Sequence, residues 1–182
     1  MSESKANTKT DMNTSTRRND DSEPAVEQGS PTVDLYCAIS RPDFGTRYHW
    51  ALVTNHREQT DKQQWYVFHA IQEKDGGPYV RNQRQGHPRE CLKHVQSLKF
   101  LGQMRTDRWD CLTRAIPTIM VPGEAGTWSC QDYVIEIWGL LQKDGVIDDA
   151  TWNQGYEELL PHYGQDFDGK IEESDEDDEQ RD

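Results

Sequence analysis

Two short runs set the terms for any fold of this chain. Residues 48–54 read Tyr-His-Trp-Ala-Leu-Val-Thr, and residues 65–71 read Trp-Tyr-Val-Phe-His-Ala-Ile. Both are rich in the aromatic and β-branched residues that suit a pleated, half-buried surface, so both predict strands. The polar, turn-prone residues 55–64 between them predict a hairpin with a long loop, His56 within it. Residues 33–39 predict an earlier strand. Residues 79–81, after the turn Asp75-Gly76-Gly77-Pro78, start another, and residues 95–104 form one more with Gly102 as a bulge.

The period then changes. Trp109, Leu112 and Ile116 fall on one helical face, and Pro117 stops that helix. A loop holding Pro122, Gly123 and Gly126 follows. A second helix opens at Ser129, buries Tyr133, Val134, Ile137, Trp138, Leu140 and Leu141, and ends at Lys143-Asp144-Gly145. A third, after Asp149, carries Trp152, Tyr156 and Leu159. Strands followed by helices predict an α+β domain, an antiparallel β-sheet packed against the Ser129 helix.

Charge confines that domain to the middle of the chain. Only 33% of the 182 residues are hydrophobic while 29% are charged, with a net charge of −13. Residues 166–182 contribute −8 and residues 1–30 contribute −2, leaving −3 for residues 31–165. The two ends therefore predict disordered tails, the second strongly acidic, around a domain at 31–165. Ser174, set among acids, matches an acid-directed kinase site, and a plain solubilising tail is the alternative. No basic footprint supports nucleic-acid binding. No apolar run approaches a membrane span or the core of a secretory signal, which predicts a protein of the cytosol or nucleus. In that setting Cys37, Cys91, Cys111 and Cys130 are expected as free thiols. Cys91 and His94 stand at metal-like spacing, but no second pair completes a zinc site. No metal or cofactor is called for.

Cys130 stands out among the thiols. Ser129 with Asp132 three residues later approximates a capping box, which makes Cys130 the first helical residue. Its sulfur then lies beside unpaired backbone N–H groups and the positive end of the helix dipole, a placement that favours thiolate. The same N–H groups suit an oxyanion. A buried structural thiol is the alternative reading of the same position.

A nucleophilic cysteine needs a base. His49 and His69 lie within the two strands, whereas His87 and His162 fall in polar or terminal segments. Strand alternation puts Tyr48, Trp50 and Leu52 on one face and His49, Ala51 and Val53 on the other. If residue 53 pairs with residue 65, His49 lies directly across from His69; a slip of one residue separates them onto opposite faces. Two histidines held by backbone groups is the competing account. The catalytic reading requires both rings to share the face that Cys130 meets.

His49 in His-Trp-Ala-Leu, His69 in Phe-His-Ala and Cys130 in Ser-Cys-Gln-Asp-Tyr-Val together resemble the circularly permuted NlpC-type papain-like proteins. That group includes lecithin:retinol acyltransferase-like enzymes and PPPDE thiol peptidases. The chain also resembles a set of short fungal proteins with a His-Trp-Ala-Leu strand and a Trp-x-Cys helix start. Ser129 replaces the group's usual Asn before the cysteine, and serine caps a helix as well. The resemblance implies a permuted papain-like fold with Cys130 as nucleophile, His49 as general base and acid, and His69 as orienting partner. It implies attack on a peptide, amide, isopeptide or ester carbonyl through an acyl-thioester. A binding module that kept the fold without catalysis, and a redox-sensing thiol, are the rival readings.

Overall fold

Aromatic and β-branched side chains at alternate positions give five strands in the computed structural model, which describes residues 31–57, 63–122 and 127–167. These are β1 (Thr32–Ser40), β2 (His49–Arg57), β3 (Gln63–Gln72), β4 (Tyr79–Gln85) and β5 (Val95–Arg105). They form one antiparallel sheet in the order β4-β3-β2-β1-β5. Four helices accompany them: α1 (Pro88–Cys91), α2 (Trp109–Ala115), α3 (Cys130–Lys143) and α4 (Asp149–Leu159). The fold class is α+β, as expected. The expected tails, with Ser174, lie outside the described residues apart from residues 166 and 167. Asp166 and Phe167 belong to the fold instead: Phe167 donates its N–H to the Thr46 carbonyl at 2.6 Å and packs edge-on against Tyr48.

The expected long hairpin loop is corrected. Residues 55–57 continue β2, pairing with 65, 64 and 63 of β3. Polar side chains hid this, because a ladder satisfies backbone groups whatever the side chain. His56 is therefore a strand residue, with its ring 4.3 Å from that of Trp109 and 5.4 Å from that of Tyr66. The short helix α1 was also not foreseen; His87 Nδ1 caps it by accepting from the Arg89 N–H.

The sheet has a thick side and a thin side. Leu35, Trp50, Leu52 and Phe68 point into the main core against Leu112 of α2, Val134, Ile137 and Trp138 of α3, and Leu159 of α4. Ala38, Ala51, Val53 and Val67 form a smaller cluster on the other face, covered by Leu92 just past α1. A fully buried large side chain contributes about 1.5–3 kcal/mol, so the α3 side carries most of the stabilisation.

Two glycines let α4 reach that side. At Gly102 the β1–β5 register shifts and φ is +149°, the bulge expected there. A Cβ at this position would overlap the Thr151 side chain of α4. On α4 itself, a Cβ at Gly155 would lie 2.5 Å from the Trp138 ring, whose Nε1–H donates to the Trp152 carbonyl at 3.0 Å. Gly155→Ala is expected to cost about 1–3 kcal/mol by overpacking, despite alanine's better helix propensity. A urea midpoint that falls in the variant checks this; an unchanged or higher midpoint would show that α4 moves away freely.

Candidate active site

The first turn of α3 is fixed from three directions. Ser129 has extended backbone (φ −145°, ψ 178°), and its Oγ accepts from the Gln131 N–H at 3.2 Å. The Asp132 carboxylate accepts from the Ser129 N–H at 2.7 Å and from its hydroxyl at 2.9 Å, closing the capping box. Tyr163 donates its hydroxyl to the other carboxylate oxygen at 2.6 Å. Gln131, 1% exposed, works in both directions: its Nε2 donates to the Tyr48 carbonyl at 2.9 Å, and its Oε1 accepts from the Gly164 N–H at 2.8 Å. The helix start is thereby tied to the residue before His49. Gln131 and Tyr163 were missed in the sequence; a glutamine beside the cysteine carries no signal until its carbonyl partner is known.

His49 and His69 are brought together. His49 Nε2 and His69 Nδ1 lie 2.9 Å apart with the rings edge to face. The pairing differs from the expected one. Val53 pairs with Val67 and Leu52 with Phe68, a slip of two residues, and the β2–β3 ladder stops there. A slip of two keeps the face, so the histidines become diagonal neighbours in the part where the strands part company.

Their face is the other correction. His49 alternates with Trp50 and His69 with Phe68 and Ala70, all in the main core under α3, so both rings rise on the thin side of the sheet. The expectation that both share the face met by Cys130 fails for His69. His49 reaches the cavity that Cys130 lines because it is the first residue of β2, at the end of the sheet where α3 begins. His49 and Cys130 line one cavity of about 260 Å³ with Tyr48, Ala70, Tyr79 and Trp128. A second cavity of about 230 Å³ lies behind, lined by His49, His69, Arg84 and Cys91. Among the described residues, no group of three or more His, Cys, Asp or Glu could hold a metal ion.

Electrostatics reverse one further expectation. The Cys130 thiol is pushed up to about 11, chiefly by burial, with Asp132 adding to the rise. The backbone N–H groups of Trp50, Cys130 and Gln131 oppose this and are outweighed. A helix N-terminus stabilises a charge by about 0.3–1 kcal/mol, up to about 2 where partly buried, whereas burying an ion costs several. The resting thiol is neutral. His49 is lowered to about 3 by burial and by His69, with Asp43 opposing. His69 is lowered to about 4 by burial and Arg84, with Asn82 and Asp43 opposing. Both rings are neutral bases near pH 7.

A family model described as "Family of unknown function (DUF6540)" matches residues 35–148, more than half of the chain. The chain belongs to that family. No curated protein and no solved structure matches it. The DUF6540 match takes in His49, His69, Asn82, Cys130 and Gln131, and it ends one residue before α4. It therefore covers β2 to β5, most of β1 and the start of α3. Among the described residues of this DUF6540 chain, no helix is long and apolar enough to cross a membrane.

Two outcomes are expected. Gln131→Ala leaves the Tyr48 carbonyl and Gly164 N–H without that partner, at about 1–3 kcal/mol for each group that stays dry; chemical denaturation measures the loss. Stability should also fall in mild acid. The unfolded histidines protonate near pH 6.5, while the folded rings resist until about pH 3–4, so stability present above pH 6.5 drains as the pH drops through that window. At pH 5 the loss is about 2 kcal/mol per ring, less than additive because the rings interact. Urea midpoints at pH 7 and pH 5 should converge in His49→Gln/His69→Gln; an acid loss equal to wild type would assign the sensitivity elsewhere.

Proposed function

We propose that the protein is a cysteine hydrolase or acyltransferase of the permuted NlpC-type papain-like kind, with Cys130 as nucleophile, His49 as base and then acid, and His69 as the orienting partner. The observation that carries this reading is the 2.9 Å bond between the rings, made by the one histidine that also lines the Cys130 cavity. Since Nε2 of His49 is engaged with His69, Nδ1 is the atom left to serve the thiol.

The chemistry starts from neutral partners. As the sulfur attacks a carbonyl carbon, the thiol proton passes to His49 Nδ1. The carbonyl π electrons move onto oxygen, where backbone N–H groups at the start of α3 receive the negative charge. The tetrahedral species collapses, His49 returns the proton to the departing amine or alcohol, and an acyl-thioester remains. Water or another acceptor, deprotonated by His49, attacks the thioester and frees the sulfur. Amide, isopeptide and ester bonds all fit this sequence.

One observation favours the rival reading of a non-catalytic module: no hydrogen bond joins the Cys130 thiol to either imidazole, and burial keeps the thiol protonated. Acylation by p-nitrophenyl acetate separates the two. The enzyme reading expects a burst of p-nitrophenol and a mass increase of one acetyl group on Cys130 at pH 7.5. It expects loss of both in Cys130→Ala and a fall of about 10²-fold or more in His49→Ala. A wild-type rate no faster than that of His49→Ala would leave the binding module standing.

A further inference from the structure

On the outer side of the histidine pair, β4 carries Asn82 directly opposite His69. Opposite residues rise from the same face with Cβ atoms about 4.5–5.5 Å apart, so the amide and the imidazole are neighbours. His69 is 3% exposed; its Nδ1 is engaged with His49, and its Nε2 is a buried nitrogen outside bonding geometry to any partner.

The proton inventory makes that nitrogen matter. A neutral imidazole has one N–H and one lone pair, and the His49–His69 bond can run either way. If His69 carries its proton on Nδ1, it donates to Nε2 of His49. The His49 proton then occupies Nδ1, and no base faces the thiol. If His69 carries its proton on Nε2, its Nδ1 accepts from His49 Nε2–H, and Nδ1 of His49 keeps its lone pair. An acceptor beyond His69 selects the second state.

The groups around the ring leave one good choice. Arg84, two residues along β4, only donates. Asp43, from the β1–β2 connection, is tied to Lys93 at 2.6 Å. Glu90 and Cys91 of α1 line the same cavity but stand on no strand paired with His69. Asn82 alone sits across the strand pair from His69, and its side chain opposes burial and Arg84 in setting the basicity of that ring. The terminal torsion of asparagine is broad, so a small turn of the amide closes the contact to Nε2.

We propose that Asn82 is a positioning residue of this site: its side-chain oxygen accepts the Nε2–H of His69 and thereby fixes the tautomers of both rings, presenting Nδ1 of His49 as the base. Its catalytic purpose rests on the Cys–His reading above, but the tautomer itself does not. Nitrogen NMR of ¹⁵N-histidine-labelled protein at pH 7.5 reads it directly, since bare and protonated ring nitrogens resonate far apart; His49→Gln and His69→Gln assign the signals. Wild type should show Nε2–H on both rings. Asn82→Leu should move His69 to a mixture or to Nδ1–H, and Asn82→Asp, which keeps the acceptor, should restore Nε2–H. Asn82→Leu should also slow acylation at least tenfold, with Asn82→Asp recovering most of it.

Nδ1–H on His69 in wild type, or an unchanged tautomer in Asn82→Leu, overturns the proposal. Should Asn82→Leu fail to fold, as seen by circular dichroism, the wild-type and Asn82→Asp spectra decide it. Because this readout does not need Cys130 to react, it separates failure of the Asn82 proposal from failure of the enzyme reading.

Discussion

The docking of the α3 first turn onto the end of β2 holds the candidate site together. Gln131 spans from the Tyr48 carbonyl to the Gly164 N–H while almost wholly buried, so two backbone groups depend on one side chain. Such a bridge is costly to break, because each orphaned group keeps its desolvation penalty. It fixes both the height of Cys130 along the sheet and its direction of approach. Without it, the capping box would still start the helix and Val134, Ile137 and Trp138 would still pack on the sheet, but the Tyr48 carbonyl would lose its tie to that start. Tyr163 and Phe167 brace the same corner from the chain's far side, through Asp132 and Tyr48.

Period and parity were legible in the sequence; register and depth were not. The alternation Tyr48, Trp50, Leu52 against His49, Ala51, Val53 gave the correct faces, because it depends only on the two-residue repeat of a strand. The Ser129–Asp132 pair gave the correct helix start, because a cap is a local device. Pairing residue 53 with 67 rather than 65 was out of reach, since the loop length between the strands was misjudged from its polar composition. Which face α3 covers was equally hidden, because it follows from tertiary packing of Trp138 and Ile137 on Trp50 and Leu52. Gln131 and Asn82 were missed for a related reason: each acts on a partner far away in sequence.

The thiol shows local and global physics pulling apart. Locally, a helix N-terminus favours thiolate, and the N–H groups of Trp50, Cys130 and Gln131 do lower its pKa. Globally, a residue only 7% exposed loses the solvation its charge would need. The net rise from 9 to about 11 corresponds to about 3 kcal/mol against the charged form, with the lowering by those N–H groups already included. Under the proposed function, the same N–H groups have a better use. A thiolate is present before reaction, whereas an oxyanion exists only during it. Donors held near the sulfur stabilise the second without committing the protein to the first.

That distinction also bears on why the histidines lie on the thin face. A base at position 50 or 68, on the α3 side, would lie fully buried in the main core. Placed on the opposite face, but at the first residue of β2, His49 looks round the end of the sheet into the cavity that holds Cys130. Its partner His69 stays back on the thin face, where polar neighbours such as Asn82 and Arg84 can set its proton without crossing the hydrophobic core. The sheet thus separates Cys130, seated in the apolar layer, from the polar groups beside His69. Asp43, His49 and Ile71 line both cavities, and of these three His49 also bonds the other ring.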